Sequence, residues 1–103
     1  EILSEQADPN SAVELEMLLG QVLSDAGRKD EAAEHYLDGL ALAEANDFRM
    51  LQGELLARLG EVESDRSQKM EYLQRSLSVF RELGAVDRMR EVQTSVHIAV
   101  MGH

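Results

Sequence analysis

The feature that most constrains this chain is a recurrence. Leu19-Gly20 returns as Leu59-Gly60 forty residues later, and Arg49-Met50 returns as Arg88-Met89 thirty-nine later. Each pair lies in a stretch whose apolar residues come at spacings of three and four, so what recurs is a helix. About forty residues hold two helices, and a chain that repeats a helical pair at that period stacks hairpins into a solenoid. On this reading the helix entered by Asn46-Asp47-Phe48 corresponds to the one entered by Gly84-Ala85-Val86.

The periodicity predicts five helices, over residues 12–26, 30–45, 48–63, 66–83 and 86–101. Inward stripes are Val13, Met17, Gly20, Val22 and Leu23 in the first, and Ala32, Tyr36 and Leu40 in the second, with Ala33 and Leu37 beside them. The third offers Leu51, Leu55, Leu59 and Val62, the fourth Met70, Leu73, Leu77 and Phe80, and the fifth Met89, Val92, Val96 and Val100. Start signals are Ser11 with Glu14 as a capping box or Asp8-Pro9 as an alternative, and Asp65 with Gln68. Gly27, Asn46-Asp47 and Gly84 read as ends, with a new N-cap within Asn46-Asp47. Connections this short make neighbouring helices antiparallel.

The fold class expected is therefore all-α, an α-α superhelix of antiparallel helix hairpins. The chain's 103 residues are one domain's worth. With two Phe, two Tyr and no Trp, the core must be built from Leu, Val, Ala and Met. There is no cysteine, which excludes disulfides and thiolate metal sites. No apolar run approaches a bilayer span, and the first residues lack a basic secretory start, so a cytoplasmic location is expected.

The net charge of −10 is unevenly spread: residues 1–47 hold 12 acidic and 2 basic side chains, and residues 48–103 hold 8 of each. Such a surface repels phosphate backbones, which argues against direct nucleic-acid binding. It either keeps the chain solvated or steers a basic partner.

Leu19-Gly20-x2-Leu23, followed by Ala32-x3-Tyr36 and then by Gly39-Leu40, resembles the tetratricopeptide pattern of Leu-Gly, Ala-x3-aromatic and a late small residue. A Gly on the first helix and an Ala on the second let two backbones approach closely while the aromatic fills the space beside them. Gly27-Arg28-Lys29-Asp30-Glu31-Ala32 looks like that family's turn within a repeat, and Asp8-Pro9-Asn10-Ser11 like its junction between repeats. Glu16 stands where the family usually has Trp, and Glu44 where it has Pro. In the second repeat Glu63 replaces the first aromatic, and Lys69 and Leu73 occupy the Ala-x3-aromatic positions. Gly60 to Ser76 is three residues shorter than Gly20 to Gly39, which predicts a tighter turn in the second hairpin. The long period resembles extended variants of about forty residues found in large regulatory proteins. The resemblance implies a single domain over 1–103 of about two and a half repeats, cut from a longer array. Glu1-Ile2-Leu3 would be the tail of a preceding helix, and residues 86–101 a first helix with no mate. The alternative to a longer array is a homodimer through unpaired terminal helices.

No motif points to catalysis, and neither a metal nor a cofactor is expected. Glycines are scattered singly, and His35, His97 and His103 join no nucleophile pattern. Glu31 and His35, one helical turn apart, lack a third metal ligand and read as two polar residues on a helix back. His97 reads as a packing or groove-edge residue.

The resemblance implies instead a protein–protein interaction scaffold whose first helices line a concave groove for a peptide or helix. Counted from the Leu-Gly pair, the peptide-binding positions would be Glu14, Met17, Gln21 and Asp25, then Glu54, Ala57 and Glu61, then Gln93, Val96 and Val100. That set lacks the Lys, Arg and Asn with which the family clamps a C-terminal carboxylate, so a basic or basic–apolar segment fits better. The alternative is a structural or self-association arm of a larger signalling or transcription-regulatory protein, with no peptide ligand.

Overall fold

A computed structural model describes residues 8–102. These residues form five α-helices and no strand: α1 Pro9–Asp25, α2 Lys29–Ala45, α3 Arg49–Val62, α4 Arg66–Leu83 and α5 Val86–Met101. Each helix packs on the next in chain order, and α1 also touches α3. The stack measures 50 × 32 × 19 Å. The chain is thus all-α, as its periodicity predicts. Residues 1–3 and His103 lie outside the described residues.

Local chemistry explains each boundary. Asp8 caps α1 by accepting the Ser11 backbone N–H at 2.7 Å, and Pro9 follows at a position whose N–H would be unpaired anyway. The alternative start is therefore the one used, rather than the Ser11–Glu14 box. Three of the four turns close alike. Gly27, Asp47 and Gly84 take the left-handed conformation, and the next residue donates its N–H five residues back, Arg28 to Leu23, Phe48 to Ala43 and Ala85 to Phe80. Asp47 is thus the left-handed terminator of α2 and not an N-cap of α3, whose N-cap Phe48 makes no side-chain cap. The fourth turn, Glu63 to Asp65, has no glycine. It runs extended, and the Asp65 carboxylate caps α4 by accepting from the Gln68 N–H at 2.9 Å.

The equivalent turns set the repeat. Asp47-Phe48 matches Gly84-Ala85, thirty-seven residues on, so the correspondence read from Asn46-Asp47-Phe48 is one residue out of register. The start of α3 nevertheless lies forty residues after the start of α1. The difference sits in α3, which has 14 residues where α1 has 17. Both intra-hairpin connections are three residues long, so the second hairpin has a shorter first helix and not a tighter turn.

Close contact of helix pairs depends on glycine opposite a large side chain. Gly20 of α1 lies against the Tyr36 ring of α2, and a Cβ built on it would stand 2.7 Å from Cδ1 and 2.8 Å from Cζ. In the second hairpin Gly60 meets Leu73 in the equivalent place, and Gly53 additionally meets the Phe80 ring. Val13 and Ala43 of the first hairpin hold the positions of Gly53 and Phe80 in the second, so the small and large partners exchange helices. The Ser76 hydroxyl, fully buried, donates to the Gly53 carbonyl at 2.7 Å. Buried Gln52 donates to the Ala43 carbonyl, joining α3 to the end of α2.

Two apolar clusters result. One holds Val13, Tyr36, Leu40, Leu55, Leu59 and their neighbours, and the other is built on Leu73, Phe80 and Val92. The inward stripes hold for α3, for Ala32, Ala33, Tyr36 and Leu40 of α2 and for Leu73, Leu77 and Phe80 of α4, whereas Leu37 is exposed and Met70 joins neither cluster. Val22 and Val100 are exposed instead. Leu19 is also partly exposed, whereas its counterpart Leu59 is buried. The stripe Leu15, Leu19 and Val22 of α1 matches Leu55, Leu59 and Val62 of α3 and Val92, Val96 and Ala99 of α5. The latter two stripes pack into the clusters, whereas that of α1, with Leu18, faces outward.

Candidate functional site

The first helices of the pairs, α1, α3 and α5, share one side of the stack and are stitched together there by polar side chains. Gln21 of α1 accepts from the Arg58 guanidinium of α3 and donates to Asp25 at 2.9 Å. Glu54 of α3 accepts from Arg88 of α5. Arg58 also faces the Tyr36 hydroxyl. Burial pushes the Tyr36 phenol above its ordinary value of 10.0, and the neighbouring Arg58 guanidinium opposes that shift.

Between α3 and α5 this side opens into a pocket of about 160 Å³ with Phe80 of α4 as its floor. Its walls carry Glu54, Ala57, Arg58 and Glu61 from α3, and Arg88, Glu91, Val92 and Ser95 from α5. Both arginines already have partners within the chain, Gln21 and Glu54. Among the described residues, neither Glu61 nor Glu91 has a side-chain ion pair. A second pocket of about 250 Å³ continues along the same seam toward the C-terminal ends of the two helices. Glu61 and Ser95 line both pockets.

Of the positions read from sequence, Glu54, Ala57 and Glu61 are brought together in the first pocket. Gln21 and Asp25 lie beside them through the Arg58 link, and Glu14 is exposed on α1. Met17 is partly buried against the first cluster. On α5 the placement differs. Val96 packs into the second cluster, and Gln93 and Val100 are exposed but line neither pocket. The pocket-lining residues of α5 are Arg88, Glu91, Val92, Ser95, Ile98 and Ala99. A shift of thirty-seven from Glu54, Arg58 and Glu61 gives Glu91, Ser95 and Ile98, so the internal period after Val62 was the signal that finds them.

Glu31 and His35 do not form a pair. Glu31 is bound by Arg28, and His35 Nδ1 lies 2.7 Å from the Glu16 carboxylate, joining α2 to α1. Glu16 thus makes a polar clasp between the helices. His97 is exposed. No group of three or more metal-ligating side chains occurs among the described residues, and none of the helices there is long and apolar enough to cross a membrane.

Compared with family models, with curated proteins and with solved structures, the chain matches none.

Proposed function

We propose that this chain is a protein–protein interaction scaffold, an extended tetratricopeptide-like α-α superhelix, whose α1/α3/α5 side receives a peptide or helix from a basic partner. The observation that carries this reading is the seam between α3 and α5. It is an open, helix-walled channel with an apolar floor at Phe80 and two carboxylates, Glu61 and Glu91, without ion pairs in the described chain. Rigid helices present these groups in fixed positions, so little conformational entropy is lost when a ligand arrives. Excess acidic charge beside the seam speeds the encounter with a cationic segment more than it deepens affinity. The repeated turn geometry and the Gly–Tyr and Gly–Leu contacts support the family reading. The role is binding, without catalysis or a cofactor, in a cytoplasmic setting.

The test is titration of Lys- and Arg-containing peptides into the wild-type chain and into a Glu14→Lys/Glu61→Lys/Glu91→Lys variant. All three positions are exposed, so helicity should be unchanged. The reading expects binding that weakens at about 0.5 M salt, where charges are screened within about 4 Å, and that the variant loses. Unchanged binding in the variant would place the working surface elsewhere.

A second reading, a self-association arm, is favoured by the bare stripe on α1. Leu15, Leu18, Leu19 and Val22 are 39–60% exposed and lie on one face of one helix. A second copy packed antiparallel about a two-fold axis would set Leu18 against Leu19 and Leu15 against Val22. Sedimentation equilibrium that shows a dimer lost on Leu18→Glu would support this arm, and a monomer at all concentrations would exclude it.

A further inference from the structure

The second pocket on the α3–α5 seam differs in character from the first. Gly60, Leu73, Ile98 and Ala99 form most of its wall, with Lys69 and Glu61 at the rim. Ile98 is 62% exposed on a position that corresponds to Glu61 of α3 and so faces the seam. Lys69 keeps its positive charge, with its ammonium held against the Gly60 carbonyl at the end of α3, so the rim carries one cation and one carboxylate, Glu61. An apolar cavity of about 150 Å³ suffices to hold a benzene ring, so 250 Å³ has room for a leucine, methionine or phenylalanine side chain.

We propose that the seam recognises two nearby side chains of an extended peptide: a large apolar one seated on Leu73, Ile98 and Ala99, and a Lys or Arg between Glu61 and Glu91. This deepens the groove reading and rests on it. Charge complementarity selects the occupant. The two carboxylates that lack ion pairs lie next to the apolar pocket, whereas Arg88 is paired with Glu54 and Arg58 donates to the Gln21 amide. The spacing follows from helix geometry. Ile98 and Glu91 are seven residues apart on α5, which at 1.5 Å per residue is about 10 Å. An extended peptide presents every second side chain on one face, about 6.6 Å apart, and the long stem of a Lys or Arg spans the rest. The expected motif is therefore an apolar residue with a basic one two positions away, so that both side chains face the seam. The apolar anchor supplies salt-independent affinity, and the basic residue supplies the salt-dependent part.

The experiment uses fluorescence anisotropy on the full chain with labelled ten-residue Gly/Ser/Thr peptides. The parent carries one Leu and, two residues later, one Arg; the others replace the Leu by Ala, replace the Arg by Ala, or carry several Lys and no apolar residue. The parent should bind. Loss of the Leu should weaken binding at least about tenfold at low and high salt alike, and loss of the Arg should matter mainly at low salt. Ile98→Glu is a substitution on a largely exposed side chain, and it should erase the difference between the Leu and Ala peptides while leaving the Lys peptide's binding intact. Equal binding of the Leu and Ala peptides, or binding of the Lys peptide alone, would overturn the two-side-chain proposal while the groove reading stands. If no peptide binds, both fall.

Discussion

Gly20→Ala tests whether close helix contact is what the Leu-Gly recurrence encodes. Two effects oppose each other. In a helix interior, alanine is favoured over glycine by about 0.8–1.0 kcal/mol. Against this, the new methyl would lie 2.7 Å from Cδ1 and 2.8 Å from Cζ of Tyr36, and closer still to Cε1, where carbon atoms prefer about 3.5–4.0 Å. The ring cannot rotate away, because Tyr36 is 1% exposed and packed in the first cluster. Overpacking of this kind costs about 1–3 kcal/mol, so the steric effect wins and the expected net loss is about 1 kcal/mol. For a domain of this size that lowers Tm by about 4–8 °C. Urea unfolding followed by far-UV circular dichroism measures it. Tyr36→Leu reproduces the Gly60–Leu73 pairing of the second hairpin, and Leu can change rotamer where a ring cannot. In that background Gly20→Ala should be neutral or stabilising, with a coupling above about 0.5 kcal/mol between the two positions. If Gly20→Ala alone stabilises the chain by the full propensity difference, the close-approach reasoning is refuted.

Asp47→Gly should stabilise the fold by about 0.5–1 kcal/mol, read as a rise in the urea midpoint, because Asp47 holds φ 57° at a turn where Gly27 and Gly84 serve elsewhere. Asp65→Ala should cost about 1 kcal/mol and raise amide exchange in the first turn of α4, since this is the turn that lacks a left-handed glycine and depends on the side-chain cap. The Tyr36 phenol is held protonated by burial, so the folded state keeps its proton more tightly than the unfolded chain does. Stability from this group is intact below pH 10 and falls as pH climbs above it. Helicity and tyrosinate absorbance should therefore change together in an alkaline titration, and Tyr36→Phe should move the loss of helicity to higher pH.

Helix positions were legible in the sequence because the apolar spacing is regular and the terminators are glycine or Asx residues. The five ranges read from periodicity differ from the observed helices by at most three residues at any end. Less legible was the choice between two start signals at α1, because both the Asp8 and the Ser11 positions satisfy capping rules. It is decided by Pro9, which is comfortable only in the first turn. The exposure of Val22 was not legible either. Periodicity reports which face of a helix is apolar, but not whether a neighbour covers it, and Val22 has the same pattern as buried Val62. The buried Gln52 escaped sequence reading, and Ser76 was legible only as the small-residue counterpart of Gly39, because polar residues enter a core only when a particular carbonyl meets them, here those of Ala43 and Gly53.

The α5 part of the candidate site depended on locating three residues. Measured from the Leu-Gly pairs alone, the period is forty, and a constant period would place the last groove positions beyond the true ones. The structure puts the deficit in the last turn of α3, so every correspondence after Val62 runs at thirty-seven. Three residues turn a helix by about 300°, some 60° short of a full revolution, so losing them keeps the hairpin nearly aligned while shortening it. Applied to α3, the shorter shift carries Glu54 to Glu91, Arg58 to Ser95 and Glu61 to Ile98. The consequence is chemical as well as geometric: along the seam the α3 wall stays charged, while the α5 wall passes from Glu91 through Ser95 to exposed Ile98. Two unlike walls distinguish the two ends of a ligand, so a segment lying in the seam has one favoured direction, and reversing a peptide's sequence should weaken its binding even though its composition is unchanged.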